Sequence, residues 1–306
     1  MILNLGGHGL GDCILSLQIS YFLSKKNIKH QNLISTRPEI FDALKYLFKD
    51  DFDFEKADEE ITENNLVINS NLIQQDLLKK YNASKIIFNV PDLLFKNPIA
   101  FDYKEYNLSP QIIKKQRLLL DSSFKQKKEN IIYCGLATST ENYVYQNIPE
   151  LIQKLGQALP DYKIYFPLLT TWDKPINNLG NFNINFPENV IVDKDPKFEN
   201  SLRILQKSTY GIFTCNGPSH VAYHLGIPRL ILDPQFGKLP WITRWKEDYE
   251  ECISINVSIN EILTIVTNNI LVPQTQMFDR KFIPLLQKEG QILSDIDWSN
   301  ILYFKY

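Results

Sequence analysis

Residues 211–233, GIFTCNGPSHVAYHLGIPRLILD, decide the fold. The apolar run Gly211 to Thr214 reads as a buried strand, and Cys215-Asn216-Gly217-Pro218 as a sharp turn. Val221 to Leu225 then carries apolar residues at helical spacing, Gly226 and Pro228 stop that helix, and Leu230 to Leu232 open another buried strand. The unit is strand-turn-helix-strand, with Asn, Gly, Ser and His where the helix begins. A helix N-terminus presents unpaired N–H groups and a partial positive charge, which suits a phosphate or a carboxylate. The plainer reading makes Asn216 and Ser219 only caps for the helix.

A second turn of this kind sits near the start of the chain. Ile2 to Leu5 reads as a short strand, Gly6 to Asp12 as a glycine-rich loop, and Ile14 to Leu23 as a helix. Four glycines in seven positions let a backbone approach a ligand closely. The spacing of Gly7, Gly9 and Asp12 lacks the third glycine of the dinucleotide fingerprint, and no Lys-Ser or Lys-Thr follows, so neither a dinucleotide site nor a P-loop is read here. Asp12, at the helix start, can cap, balance the dipole or act as a base.

The regular alternation of strand and helix continues in both directions from these turns. In the first part, His30 to Ile34, Leu66 to Ile68 and Lys85 to Val90 read as strands, and Pro38 to Phe48 and Leu72 to Tyr81 as helices. The acidic stretch Asp50 to Glu60 reads as a solvated surface segment. In the second part, strands are expected at 130–135, 163–167, 189–192, 211–214, 229–233 and 251–255, with helices at 148–159, 198–207 and 260–268. Such a pattern predicts parallel, doubly wound sheets with helices on both faces, whose ligands lie beyond the carboxyl ends of the strands. The expectation is an α/β protein of two Rossmann-like domains, 1–125 and 126–275, with an interdomain cleft. Residues 276–306 are expected to return as a helix and tail to the first domain.

Composition agrees with a folded protein: 44% of the 306 residues are hydrophobic and 22% charged. A net charge of −2 offers no general attraction to nucleic acid. Cys13, Cys134, Cys215 and Cys252 show no metal-like spacing, and the first three, inside or at the ends of apolar segments, read as reduced, buried thiols of a cytosolic protein. The chain begins on a stretch that reads as a strand, so no secretory leader is expected, and no apolar run approaches the roughly 20 residues of a membrane span. Lys114, Lys115, Arg117, Lys125, Lys127 and Lys128 lie in a linker, read as a solvated helix or as a basic patch for an anionic membrane surface.

Three segments together resemble the GT-B fold glycosyltransferases, and more narrowly the ADP-heptose:lipopolysaccharide heptosyltransferase-like family, glycosyltransferase family 9. The first is Gly9-Leu10-Gly11-Asp12-Cys13-Ile14. The second runs from Gly135-Leu136-Ala137-Thr138-Ser139 to Asn147-Ile148-Pro149-Glu150, similar to a family segment ending in Trp-Pro-Glu. The third, Cys215 to Ala222, is similar to Asp-Thr-Gly-x-x-His-x-Ala, with Leu225-Gly226-Ile227-Pro228 behind it. Cys215 and Asn216 stand where the family has Asp and Thr, and Gln146 where it has Lys. The resemblance implies an inverting, metal-independent transfer of a sugar from a nucleotide-sugar donor to a glycan or lipid-linked acceptor, with no cofactor. It implies a cytoplasmic enzyme, resting on the inner face of the membrane.

The same resemblance makes Asp12 the base that activates the acceptor hydroxyl, with His8 as the second candidate and Gly9 and Gly11 forming the acceptor-side loop. Thr138, Ser139, Asn216, Gly217, Pro218, Ser219 and His220 form the donor site, with Lys238 and Arg244 as further charge partners. His220 and His224 stand one turn apart, yet no third ligand is suitably spaced, so no metal site is expected. Trp172, Tyr143 and Tyr145 read as core aromatics or as nucleobase stacking partners. Two alternatives stay open: a sugar-nucleotide-binding relative without turnover, and a sugar-nucleotide epimerase.

Overall fold

The computed structural model describes residues 2–25, 27, 29–48, 53–56, 65–69, 83–88, 128–138, 144–168, 184–214, 216–233 and 250–270. The expected helices at 72–81 and 276–293, and the linker up to residue 127, lie outside them. The chain divides into two compact units that part between Asp121 and Ser122.

The first unit holds β1 (Ile2–His8), α1 (Leu10–Lys25), β2 (His30–Thr36), α2 (Pro38–Phe48), β3 (Glu55–Lys56), β4 (Asn65–Asn69) and β5 (Ala83–Phe88). Its five strands lie in the order β3-β2-β1-β4-β5, every pair parallel. Two readings of the sequence change here. Gly6, Gly7 and His8 are strand, not loop, pairing with Ile34, Ser35 and Thr36 of β2. Glycine can occupy a strand wherever a neighbour supplies the ladder, and β2 does so. The helix accordingly starts at Leu10, its first turn closed by Cys13 N–H to Gly9 O at 3.1 Å. The acidic segment also contributes β3, a two-residue edge strand, and short charged edges resist pairing with other chains. Between α1 and β2, Asn32 donates to Ser20 Oγ at 2.8 Å and to Asp53 O at 2.9 Å, so this buried amide is satisfied.

The second unit holds β6 (Glu129–Gly135), α3 (Ile148–Ala158), β7 (Lys163–Pro167), β8 (Val190–Asp193), α4 (Phe198–Lys207), β9 (Ser208–Thr214), α5 (Gly217–His224), β10 (Arg229–Asp233), β11 (Glu250–Ser254) and α6 (Ile259–Ile270). Its six strands run β11-β10-β9-β6-β7-β8, again all parallel. Counted within the unit, this is the doubly wound order of dinucleotide-binding sheets.

The two faces of this sheet are chemically different. On one, Ile132, Cys134, Ile164, Phe166, Ile212, Leu230 and Leu232 pack under α3 and α6 in one apolar cluster. Helix α3 supplies Ile148, Leu151, Ile152 and Leu155, a stripe at helical spacing. Burial pushes the Cys134 thiol far above the usual range, so it is an inert core group. On the other face lie aromatics and glycines. Tyr133 stacks on Phe213 at 5.8 Å and its hydroxyl meets Ser201 of α4 at 2.7 Å. Tyr165 donates to Asp193 at 2.7 Å; burial first, and then this bond, hold its phenol protonated.

Asn189 closes α3. Its amide donates to Gly156 O and Leu159 O at the end of α3, at 3.1 and 3.0 Å, and to Tyr162 O in the turn before β7 at 2.9 Å. Asn189→Ala is expected to lower stability by about 1–3 kcal/mol, the cost of buried acceptors left unpaired. Denaturant melts with an unchanged slope check it; a loss below about 0.5 kcal/mol would mean that water replaces the amide.

Candidate functional site

In an open parallel sheet, a crevice forms where neighbouring strands send their chains to opposite faces. In the second unit this happens between β6 and β9. From β6 the chain leads to α3 on one face, and from β9 to α5, which packs with α4 on the other. In the first unit the corresponding place is between β1 and β4. The segment Gly9 to Ile14 follows β1, the segment from Gly135 follows β6, and Asn216 to Ala222 follows β9. All three motifs therefore stand at the carboxyl side of a switch point.

Helix α5 is capped at both ends by its own sequence. Asn216 is extended and its Oδ1 accepts the Ser219 N–H at 3.2 Å. The Ser219 hydroxyl, fully buried, donates back to Asn216 O at 2.6 Å. Pro218 occupies the second helical position, where its missing N–H costs nothing. Of the first three helical positions, Pro218 carries no N–H and that of Ser219 serves the cap. Gly217 thus supplies the N–H that the cap does not use. At the far end, Gly226 has φ of 67°, Gly226 N–H bonds Tyr223 O, and Ile227 N–H bonds Ala222 O. These two bonds are the Schellman closure that a left-handed residue permits, and glycine takes that conformation without strain.

The capping reading of Asn216 and Ser219 is thus a fact of the structure. Thr138 is half-buried three residues past the end of β6, and His220 is half-buried in the first turn of α5. Gln146 is exposed in the turn before α3. Asp12 occupies the third position of α1, one turn past the end of β1, and His8 is the last residue of that strand. Gly9 lies between the two elements and Gly11 is the second residue of α1. Ser139, Tyr143, Trp172, Cys215, Lys238 and Arg244 lie outside the described residues. Tyr145 is a core residue, 4% exposed, whose hydroxyl donates to Val257 O at 3.2 Å. Among the described residues no three His, Cys, Asp or Glu side chains cluster as a metal would require.

One cation escaped the sequence reading. Arg229, at the head of β10, is fully buried beneath α5. Its guanidinium donates to Ser219 O and lies 5.0 Å from the centre of the Tyr223 ring. The signal was there: a cation opening a strand that is otherwise buried throughout. At the other end of β10, Asp233 is also buried, with the Cys252 thiol 3.8 Å from its Oδ2. Lys128, the last cation of the basic linker, turns inward. It donates to Gln206 O near the end of α4, and burial lowers its ammonium to about 8. It belongs to the core's edge, not to a solvent-facing patch. No helix among the described residues is long and apolar enough to cross a membrane.

No family model matches the chain, and neither does any curated protein. Solved structures do match. The glycosyl transferase family 9 protein from Veillonella parvula aligns over 96% of this chain and 97% of its own, with 9% identity and a TM-score of 0.51. The E. coli heptosyltransferase WaaC with ADP aligns over 88% and 97%, with 13% identity and a TM-score of 0.55. The E. coli ADP-heptose lipopolysaccharide heptosyltransferase II aligns over 88% and 98%, with 11% identity and a TM-score of 0.57. At such identities the likeness is one of backbone architecture. The chain has the α/β, GT-B fold of the heptosyltransferase-like glycosyltransferases.

Proposed function

We propose that this protein is a glycosyltransferase that moves a sugar, with inversion, from a nucleotide-sugar donor to a glycan or lipid-linked acceptor. The reading rests on one observation: the N-terminus of α5 opens at the β6/β9 switch point, facing the loop that carries Thr138. The Gly217 N–H, the Thr138 and Ser139 hydroxyls and the His220 ring hold the donor diphosphate. Asn216, Pro218 and Ser219 shape the turn that presents them. A helix end alone supplies only about 0.3–1 kcal/mol, so the side chains carry most of the grip. Asp12 removes the proton from the acceptor hydroxyl as that oxygen attacks the anomeric carbon and the nucleoside diphosphate leaves from the opposite side. His8 is the second candidate for that proton. Gly9 and Gly11 leave room beside the backbone for the acceptor. No metal or other cofactor takes part.

His220→Ala is expected to weaken binding of the best nucleotide sugar by about tenfold to a hundredfold, the range for a hydrogen bond to a charged group. Titration calorimetry across a panel of ADP-, GDP-, UDP- and CDP-sugars measures it. Unchanged affinity would place the donor elsewhere. Gln146, exposed and uncharged, favours a second reading in which the protein binds a sugar nucleotide without turning it over. Release of nucleoside diphosphate from any member of the panel decides for the enzyme.

The acceptor side brings in the membrane. Lys114, Lys115, Arg117, Lys125 and Lys127, without Lys128, form the patch that rests on an anionic inner leaflet, each cation near the surface adding about 1 kcal/mol. The protein should sediment with phosphatidylserine vesicles at low salt and be released at high salt. No sedimentation at low salt removes the membrane from the proposal.

A further inference from the structure

We propose that Asn216 is a positioning residue that latches the two loops of the β6/β9 switch point together. Strands β6 and β9 are paired as far as Gly135 and Phe213. Beyond that pair their chains part to opposite faces, and the ladder no longer holds them. The Asn216 side chain spans the gap. Its Nδ2 donates to Gly135 O at 2.6 Å, with Ala137 O at 3.3 Å and Thr214 Oγ1 at 3.4 Å. On its other side, Oδ1 accepts the Ser219 N–H that begins α5.

The orientation of the amide is unambiguous, because carbonyl oxygens only accept and a backbone N–H only donates. One side chain therefore caps α5 and ties the strand-end loop of β6 to that cap. Both donors and the carbonyl are engaged with protein, so Asn216 fixes the separation between Thr138 and the first turn of α5 without itself gripping a ligand. At neutral pH a carboxamide offers donors on one side and an acceptor on the other, which neither a carboxylate nor a hydroxyl does at this length. Its effect on nucleotide binding rests on the function proposed above; the latch itself does not.

Two variants separate the latch from the cap. Asn216→Thr and Asn216→Asp both keep an oxygen that caps a helix, so α5 should persist in each. Thr is too short to reach Gly135 O. In Asn216→Asp the introduced carboxylate only accepts, so it has no donor for Gly135 O and repels it. Hydrogen exchange of the full chain, each variant compared with wild type at the same pH, is the measurement. At pH 8 both variants should exchange about tenfold faster over 136–138, the size of one net buried hydrogen bond, while 217–224 keeps its protection. Binding of ADP, GDP or UDP, whichever wild type prefers, should fall about tenfold in Asn216→Thr. Equal exchange over 136–138 in wild type and both variants overturns the latch. The expected exchange pattern with no nucleotide bound by any of the three proteins leaves the latch standing and overturns the donor site instead.

Discussion

Asp12→Asn is expected to lower sugar transfer by about 10²–10⁴-fold, the usual contribution of a positioned general base. Unfolding temperature and donor affinity should stay close to wild type. The backbone carries the argument. Asp12 lies in the first turn of α1, just beyond the central strand β1, where the sheet of the first unit switches direction. At the third helical position an acid also interacts with the helix dipole, worth only about 0.3–1 kcal/mol. Asn keeps the size and hydrogen-bonding capacity of Asp and removes its basicity. The substitution therefore divides the two roles: a stability change of a few tenths of a kcal/mol with transfer lost marks a base. Transfer within a few-fold of wild type would make Asp12 a dipole-balancing residue, and His8→Gln would become the next variant to assay.

Gly211→Ala is expected to destabilise the second unit by about 1–3 kcal/mol, the cost of overpacking a filled core. A Cβ at this position would lie 2.2 Å from Phe213 Cε2 and 2.6 Å from Cζ. The ring has nowhere to retreat. It is fully buried, stacked on Tyr133, and its other edge would meet a Cβ on Gly135 at 2.5 Å. Two glycines on adjacent strands thus make the bed for one aromatic ring. Phe213→Leu in the Gly211→Ala background should recover part of the loss, because the smaller side chain vacates the space that the new methyl needs. Chemical denaturation of the four proteins of this cycle gives the coupling energy. Independent, additive effects of the two substitutions would show that the ring is not what excludes the methyl group.

The element order was legible because each strand and helix declares itself over a few residues. Buried strands such as Leu230 to Leu232 are continuous apolar runs, and α3 repeats its apolar residues at helical spacing. The stop at Gly226 was equally local: the left-handed residue that closes α5 needs only its own missing Cβ. At the site, the strand-turn-helix after β9 and the capping capacity of Asn216 and Ser219 followed from a handful of neighbouring residues. The start of α1 did not, because Gly6, Gly7 and His8 become strand only through their pairing with β2, over twenty residues away in sequence.

Strand and helix periodicity and the glycine stop at Gly226 were determined by the sequence alone, since they depend on interactions within one or two turns of chain. The parallel doubly wound class followed from the alternation of strand and helix. Tertiary structure decided the rest. At Gly135 and Gly211 the Phe213 ring, brought there by the fold, fills the space that a side chain would need. Lys128 read as part of a basic surface until the end of α4 claimed its ammonium. Asn216 read as a cap, and only the packing of β6 beside β9 brings Gly135 O within its reach, 81 residues away along the chain. Which atoms meet across a sheet depends on strand order and register, and no local stretch of sequence contains that information.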